Sequence, residues 1–298
     1  MLPRYVDTIV VPLDGSHFAE HALPIAARLA RRLDAAIHLL SAVPERAELA
    51  SRLEQLANLD VRDVRVAHSV VVDPDPADAI EATLERFDGG IACMASHGRS
   101  RSAALIGSVT NEVIRRRRDP IVVVGPFVDC LPAGDTEDRE TGVVACVDDT
   151  PAADAILPVA LWWAELLRER PVVLTVAEPV PPPLDDQAPH RRFGPDGDPE
   201  AYLEHLVSHA PVDSREIETR VVYDPVSPAA GIRDHVRAHP ASLLVLGSRA
   251  RTGVARLALG SVAAEVVHGS VSPVLLAPRA DATIHPHSAT VPTHSEAV

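Results

Sequence analysis

Residues 95–109 read ASHGRSRSAALIGSV, with Gly98, Gly107 and several serines set between an apolar strand-like run and a helix-like run ending in Arg115–Arg118. Backbone amides at such a passage can cradle an anion. A helix opening at Ser108 presents free N–H groups and the positive end of its dipole, and glycine lets the backbone approach whatever binds. The stretch GSRARTGVARLALGSV at 247–262 repeats the arrangement. Upstream of each stretch a carboxylate ends a β-branched run, Asp14 in TIVVPLDGS and Asp148 in GVVACVDDT. Such a carboxylate can accept a hydrogen bond from an amino or hydroxyl group at the other end of a ligand. The plainer reading makes Asp14-Gly15-Ser16 a turn and N-cap, and Gly107-Ser108 a loop glycine and N-cap. Recurrence of both features moves the balance toward a ligand crevice, although duplication copies structural features as well.

The elements that would position these groups form a repeat. TIVVPLDGSHFAEHALPIAARLA (8–30) aligns with GVVACVDDTPAADAILPVALWWA (142–164), with Leu23-Pro24 and Leu157-Pro158 at the same offset from the aspartate. A proline inside a helix costs about 3 kcal/mol and bends it, so this agreement is not expected by chance. Further on, PADAI at 76 matches PAAGI at 228, and GSVTNEVIRRRRDPIVVVGP matches GSVAAEVVHGSVSPVLLAP. The unit is therefore a duplicated domain. The first copy reads as strands near 7–13, 36–42, 64–72, 90–96 and 120–125 alternating with helices. Its first, fourth and fifth strands are continuous apolar runs, the pattern of strands buried on both faces. Alternating strand and helix gives a parallel sheet with helices on both faces, whose ligands collect at the carboxyl ends of the strands.

A length of 298 residues suits two domains of roughly 150. The expected boundaries are 1–128 and 140–279, joined by a linker at 129–139. A Pro/Asp-rich surface insert is expected at 178–200 and a disordered tail at 280–298. Aromatics are 3% of the chain, so Ala, Val, Leu and Ile must fill the cores. Trp162-Trp163 reads as core. The net charge of −14 disfavours general binding to nucleic acid or anionic membrane, and Arg115–Arg118 suit a helix end. Cys93, Cys130 and Cys146 are too scattered for a disulfide framework or a zinc site. His285, His287 and His294 in the tail do not make a metal site. No signal peptide and no apolar run of roughly 20 residues is present, so a reduced, cytoplasmic setting is expected.

The aspartate after the first strand, HGR after the fourth, GSV opening the last helix and the closing PIVVVGP strand resemble the universal stress protein family. The repeat is similar to its tandem two-domain members, over about residues 3–126 and 140–278. The resemblance implies an adenine-nucleotide α-hydrolase-like, Rossmann-like α/β fold, with two tandem open parallel five-stranded sheets in the order 3-2-1-4-5. It implies that the closing strands, Ile121–Val124 and Val274–Ala277, pair in an intramolecular pseudo-dimer, which could dimerise again. It also implies ATP as ligand, with or without Mg²⁺. Carried over to this chain, Asp14 and Val43 hold the adenine and ribose region. Gly98, Arg99, Gly107, Ser108 and Val109 surround the phosphates. The second copy offers Asp148, Gly247, Gly260, Ser261 and Val262.

Neither copy has the family's full phosphate motif, a glycine, two residues, a glycine, nine residues and then Gly-Ser or Gly-Thr. The first has Ala95 for the first glycine and only eight residues between Gly98 and Gly107. The second has Ala250 for the second glycine. In the second copy Glu178 replaces an apolar adenine wall and Asp149 adds a carboxylate near the expected phosphates; both oppose a polyanion. The sequence reading is therefore an ATP-binding regulatory module in stress or dormancy adaptation, with the first copy the nucleotide site. One alternative is a nucleotide-free dimeric scaffold of the same fold. The other is a slow ATP-hydrolysing enzyme, against which stands the lack of any SGGxDS or GxxxxGK[ST] loop.

Overall fold

The computed structural model describes residues 5–97, 106–117, 119–128, 142–150, 153–177, 197–210, 214–248 and 259–277. In the first copy the apolar run TIVVP forms β1 (Thr8–Pro12), followed by α1 (His17–Glu20), α2 (Ala22–Leu33) and β2 (Ala36–Val43). Then come α3 (Leu49–Ala57), β3 (Val66–Val72), α4 (Pro76–Leu84), β4 (Gly90–Ala95), α5 (Ser108–Arg116) and β5 (Ile121–Val124). The second copy begins with β6 (Gly142–Val147), α6 (Ala153–Leu167), β7 (Arg170–Ala177), α7 (Pro199–Ser208) and β8 (Glu218–Tyr223). It ends with α8 (Pro228–Ala238), β9 (Leu243–Gly247), α9 (Ser261–Gly269) and β10 (Val274–Ala277). Of the insert expected at 178–200, residues 178–196 lie outside the described residues, and Pro199 and Glu200 already belong to α7. The expected linker and tail, with Cys130, His285, His287 and His294, also lie outside them.

Both copies are parallel within themselves, and the strand order is β3-β2-β1-β4-β5-β10-β9-β6-β7-β8. Among the described residues the one antiparallel junction pairs Val123 with Val274, Val122 with Leu275 and Ile121 with Leu276. Every residue of β5 and β10 is buried. Left unpaired, these strands would be two exposed apolar edges; joined, they make one ten-stranded sheet. Its outer edges, β3 and β8, are half exposed, and β8 carries Glu218 paired with Arg170 and Arg220.

Alternation along the strands separates two cores. Ile9, Leu39 and Trp163 pack beneath α1, α2, α3, α6 and α7, and Val10, Met94 and Leu244 pack beneath α4, α5, α8 and α9. Trp163 is fully buried, and Trp162 meets it edge-on at 5.4 Å. The matched prolines sit differently in their helices. Pro158 lies inside the continuous α6, whereas the first copy breaks at His21 and begins α2 anew at Ala22. Pro24 therefore falls in a first turn, where its missing N–H costs no internal bond.

Arg115, Arg116 and Arg117 are held by carboxylates. Arg115 and Arg116 bind Glu112, Arg116 also reaches Asp75 and Asp78 at the start of α4, and Arg117 pairs with Asp119. These contacts hold the Glu112 carboxyl down to about 2. The copies also meet through α2 and α6. Arg32 pairs with Glu169 and donates to the Leu167 carbonyl at 2.8 Å, while Ser242 donates to Glu169. Among the described residues no helix is long and apolar enough to cross a membrane, and no cluster of His, Cys, Asp or Glu could hold a metal ion.

Candidate functional site

A cavity of about 320 Å³ opens at the carboxyl ends of β1, β2 and β4, between α1, α4 and the start of α5. That volume is at the lower end of the range for small-molecule sites. Leu40, Ala42, Ile80 and Met94 make apolar walls; Asp14, His97, Ser108 and Thr110 are polar parts of the lining.

Local bonding explains the shape. The Leu13 amide donates to the Leu40 carbonyl at 2.8 Å, and Ser41 Oγ donates to the Leu13 carbonyl at 2.7 Å. The chain then turns at Gly15, whose φ of 80° is left-handed and suits glycine. Asp14 Oδ1 accepts from the Ser16 amide at 2.9 Å and from Ser16 Oγ at 2.6 Å, and Ser16 caps α1 by accepting from the Ala19 amide. The turn-and-cap reading of Asp14-Gly15-Ser16 is thus realised, with Asp14 also on the cavity wall.

At the end of β4, the Gly107 amide donates to the Ser96 carbonyl at 2.8 Å, and Thr110 Oγ1 donates to the Ala95 carbonyl at 3.0 Å. These bonds seat the N-terminus of α5 against the strand. Helices α4, α7 and α8 start with a side-chain cap from Asp75, Asp198 and Ser227, but α5 and α9 start at Gly107 and Gly260 with none. The first-turn amides of α5 therefore face the cavity without a side-chain acceptor at their cap, an arrangement suited to an anion.

Of the sequence-predicted residues, Asp14, Gly107, Ser108 and Val109 lie together on this cavity. Val43 is buried at 1% exposure, and the β2 part of the lining comes from Leu40 and Ala42. Gly98 and Arg99 lie outside the described residues. In the second copy Gly247 ends β9, while Gly260, Ser261 and Val262 open α9, with the Gly260 amide donating to the Ser248 carbonyl at 3.0 Å. Asp148 repeats the Asp14 turn by accepting from the Thr150 amide and hydroxyl, and Glu178 lies outside the described residues.

Three residues that sequence reasoning did not select distinguish the copies. Arg52 on α3 lies over Gly15, where a Cβ would stand 1.8 Å from its Nη1. That nitrogen is buried with no hydrogen-bond partner among the described residues. In the second copy α7 follows β7 as α3 follows β2, and Tyr202 donates to the Asp148 carbonyl. Burial, then the charges of Asp148, Asp149 and Asp154, push the Tyr202 hydroxyl above its ordinary pKa. Asp14 and Asp148 recur at the two strand ends; among the described residues, Arg52 lies against the first, and Asp149 stands in the second where the first has Gly15. The third residue, His97, sits on the cavity wall and meets His268 of α9.

The fold is a doubly wound α/β sheet built twice in one chain, with a ligand-sized cavity at the strand ends of its first half. The universal stress protein family model matches residues 6–125 and 142–278, and the chain belongs to that family. A universal stress protein from Archaeoglobus fulgidus superposes with a TM-score of 0.63 at 18% identity, covering 94% of this chain and 99% of that one. A functionally unknown protein from Pseudomonas aeruginosa does so with a TM-score of 0.59 at 16% identity, covering 93% and 94%. At these identities the likeness shows the fold. A universal stress protein solved in complex with cAMP matches 47% of this chain and 97% of its own, at 21% identity and a TM-score of 0.35. No curated protein matches the chain significantly.

Proposed function

We propose that this chain is a cytoplasmic, nucleotide-responsive regulatory module in stress or dormancy adaptation that binds ATP, with or without Mg²⁺, in its first copy and poorly or not at all in its second. Its working units are 1–128 and 140–279, paired as an intramolecular pseudo-dimer, and it is not a dedicated enzyme. The observation that carries the reading is the unequal charge at two equivalent strand ends. The first has a 320 Å³ cavity, with Arg52 close by against Gly15. The second has Asp149 where the first has Gly15, and its charge, with those of Asp148 and Asp154, acts on Tyr202; the added carboxylate disfavours a triphosphate there. The residues on the cavity suit the ligand. Leu40, Ala42, Ile80 and Met94 offer an apolar bed for a base, Asp14 an acceptor, and the α5 amides a place for phosphate oxygens.

ATP has roughly 30 heavy atoms, and about 0.3 kcal/mol per atom gives about −9 kcal/mol, or sub-micromolar affinity. The extra methyl of Ala95 removes about 1–3 kcal/mol, which leaves micromolar to tens of micromolar. Calorimetric titration of ATP into the nucleotide-stripped full-length protein should give one site per chain in that range. Asp14→Ala removes the acceptor and the Ser16 turn together, so Asp14→Asn belongs beside it: asparagine keeps the turn but not the charge. Both variants should weaken binding, with Asp14→Asn retaining wild-type stability. Two equal sites would refute the preference for the first copy. No binding would favour the nucleotide-free scaffold, for which the incomplete glycine motifs in both copies speak.

A further inference from the structure

The wall of the first cavity is braced from the second copy. His97 lines the cavity, and its Nε2 lies 3.2 Å from Nε2 of His268, a residue 171 positions away on α9. The rings meet edge to face, 4.9 Å between centroids at 87°. His268 Nδ1 lies 2.9 Å from the Ala264 carbonyl, and His97 Nδ1 lies 2.8 Å from Ser96 Oγ.

One proton arrangement satisfies all three contacts with neutral rings. A carbonyl only accepts, so His268 carries its proton on Nδ1 and offers Nε2 as acceptor. His97 must then donate from Nε2, which leaves its Nδ1 to accept from the Ser96 hydroxyl. Ser96 is buried at 1% exposure; its amide donates to Val124 and its carbonyl accepts from Gly107. A continuous chain of bonds thus runs from the α5 N-terminus through Ser96 and His97 to α9. The backbone brings α9 this close at Gly125, where a Cβ would stand 1.9 Å from the Val267 carbonyl oxygen.

The pairing is one-sided. In the repeat alignment His268 corresponds to Arg115 and His97 to Arg249, so the reciprocal position holds two cations. Arg115 pairs with Glu112 instead.

We propose that His268 is a positioning residue for the first copy's ligand site. It fixes the tautomer and ring orientation of His97, so that affinity at one copy depends on a side chain of the other. This rests on the reading of that cavity as the nucleotide site. His268 is not on the cavity wall, so its influence on the ligand must pass through His97.

The test is a double-mutant cycle on ATP affinity in the full-length protein, with His97→Ala, His268→Ala, their combination and His268→Gln. Loss of one orienting hydrogen bond should weaken ATP about five- to tenfold in His268→Ala. The double variant should be no more than about twofold weaker than His97→Ala, because both changes remove one coupled unit. Glutamine offers a carbonyl acceptor to His97, and His268→Gln should return affinity to within about threefold of wild type. Unchanged affinity in His268→Ala, or losses that multiply in the double variant, would overturn this inference while leaving the nucleotide site standing. Absence of ATP binding by the wild-type protein would overturn the site and this inference together.

Discussion

Gly125→Ala tests the junction between the copies with a single methyl group. Gly125 follows β5, and a Cβ built there would stand 1.9 Å from the Val267 carbonyl oxygen of α9. A Cβ almost never stands under 3.0 Å from a neighbour, and ordinary contact begins at 3.4 Å, so the helix must retreat by roughly 1–1.5 Å or the strand end must bend. The obstructing atom is backbone and cannot swing aside as the tip of a long side chain would. Overpacking of this kind costs about 1–3 kcal/mol, and a backbone obstruction places Gly125→Ala at about 2–3 kcal/mol. In a protein of this size that corresponds to a fall in melting temperature of about 4–8 °C. Circular dichroism through a thermal ramp, with urea unfolding at fixed temperature, measures both quantities. Because His268 follows Val267 directly, the same shift should loosen the His97 contact and weaken ATP alongside stability. A change below about 0.5 kcal/mol, within the range of an indifferent surface substitution, would refute the close approach of α9 to β5.

The inter-copy ion pair makes a second prediction. Glu169 is only 4% exposed and Arg32 is 38% exposed, so Arg32→Ala should cost about 1–3 kcal/mol, less than a fully buried pair because solvent screens the guanidinium. Urea unfolding of Arg32→Ala, Glu169→Gln and the double variant should show coupling, and strict additivity would sink the idea. A third prediction concerns pH. His38 in β2 is held below its ordinary value of 6.5, first by burial and then by the charges of Arg86 and His68. The fold thus prefers the neutral ring; its contribution is complete above pH 6.5 and is lost as pH falls from there through the folded-state value. Stability should decline on acidification in that window, and His38→Asn should flatten the decline; an unchanged slope would assign it to other groups. Finally, burial pushes the thiols of Cys93 and Cys146 up to about 12. Neither should react with a thiol reagent near pH 8 until denaturant is added, and mass spectrometry of the labelled native protein reads this directly.

What the sequence disclosed and what it hid divide along physical lines. Runs such as IVVVG and IACMA are apolar without alternation because β5 and β4 are covered on both faces, and that pattern is readable in one dimension. The Gly-Ser openings of α5 and α9 were legible for the same reason, since a helix start is a local event. The split between α1 and α2 was not, because Leu23-Pro24 has the same spelling as Leu157-Pro158 and only the structure places Pro24 in a first turn. The contacts that separate the two strand ends were also hidden. Arg52 reaches Gly15 from a later helix, Tyr202 reaches Asp148 across 54 residues, and His268 reaches His97 across 171. No spacing rule connects such positions; packing of the intervening elements does. The antiparallel junction of β5 with β10 came from family resemblance, since an apolar edge states that it needs a cover and not which cover it receives.

Comparing the two copies also sorts the bonds that the fold requires from the groups left to the ligand. Ser41 and Thr175 each donate to the carbonyl at the end of the neighbouring strand, Leu13 in one copy and Val147 in the other. Asp14 and Asp148 each accept from a hydroxyl and an amide two residues on. The carbonyls of Ser96 and Ser248 each receive the glycine amide that opens the last helix. All three interactions satisfy backbone or turn groups at the same strand ends, and an empty site needs them as much as a filled one. Recurrence of the aspartate is therefore explained by the turn alone and adds no weight to a ligand role. The weight falls on what differs: Gly15 beside Arg52 against Asp149 near Tyr202, and His97 against Arg249. Of these, Arg52 and His97 take no part in the three shared interactions, so the duplicated fold could vary them without coming apart. Because Arg52 lies against the Asp14 turn and His97 on the cavity wall, their divergence is the form that specialisation of one copy for an anionic ligand would take.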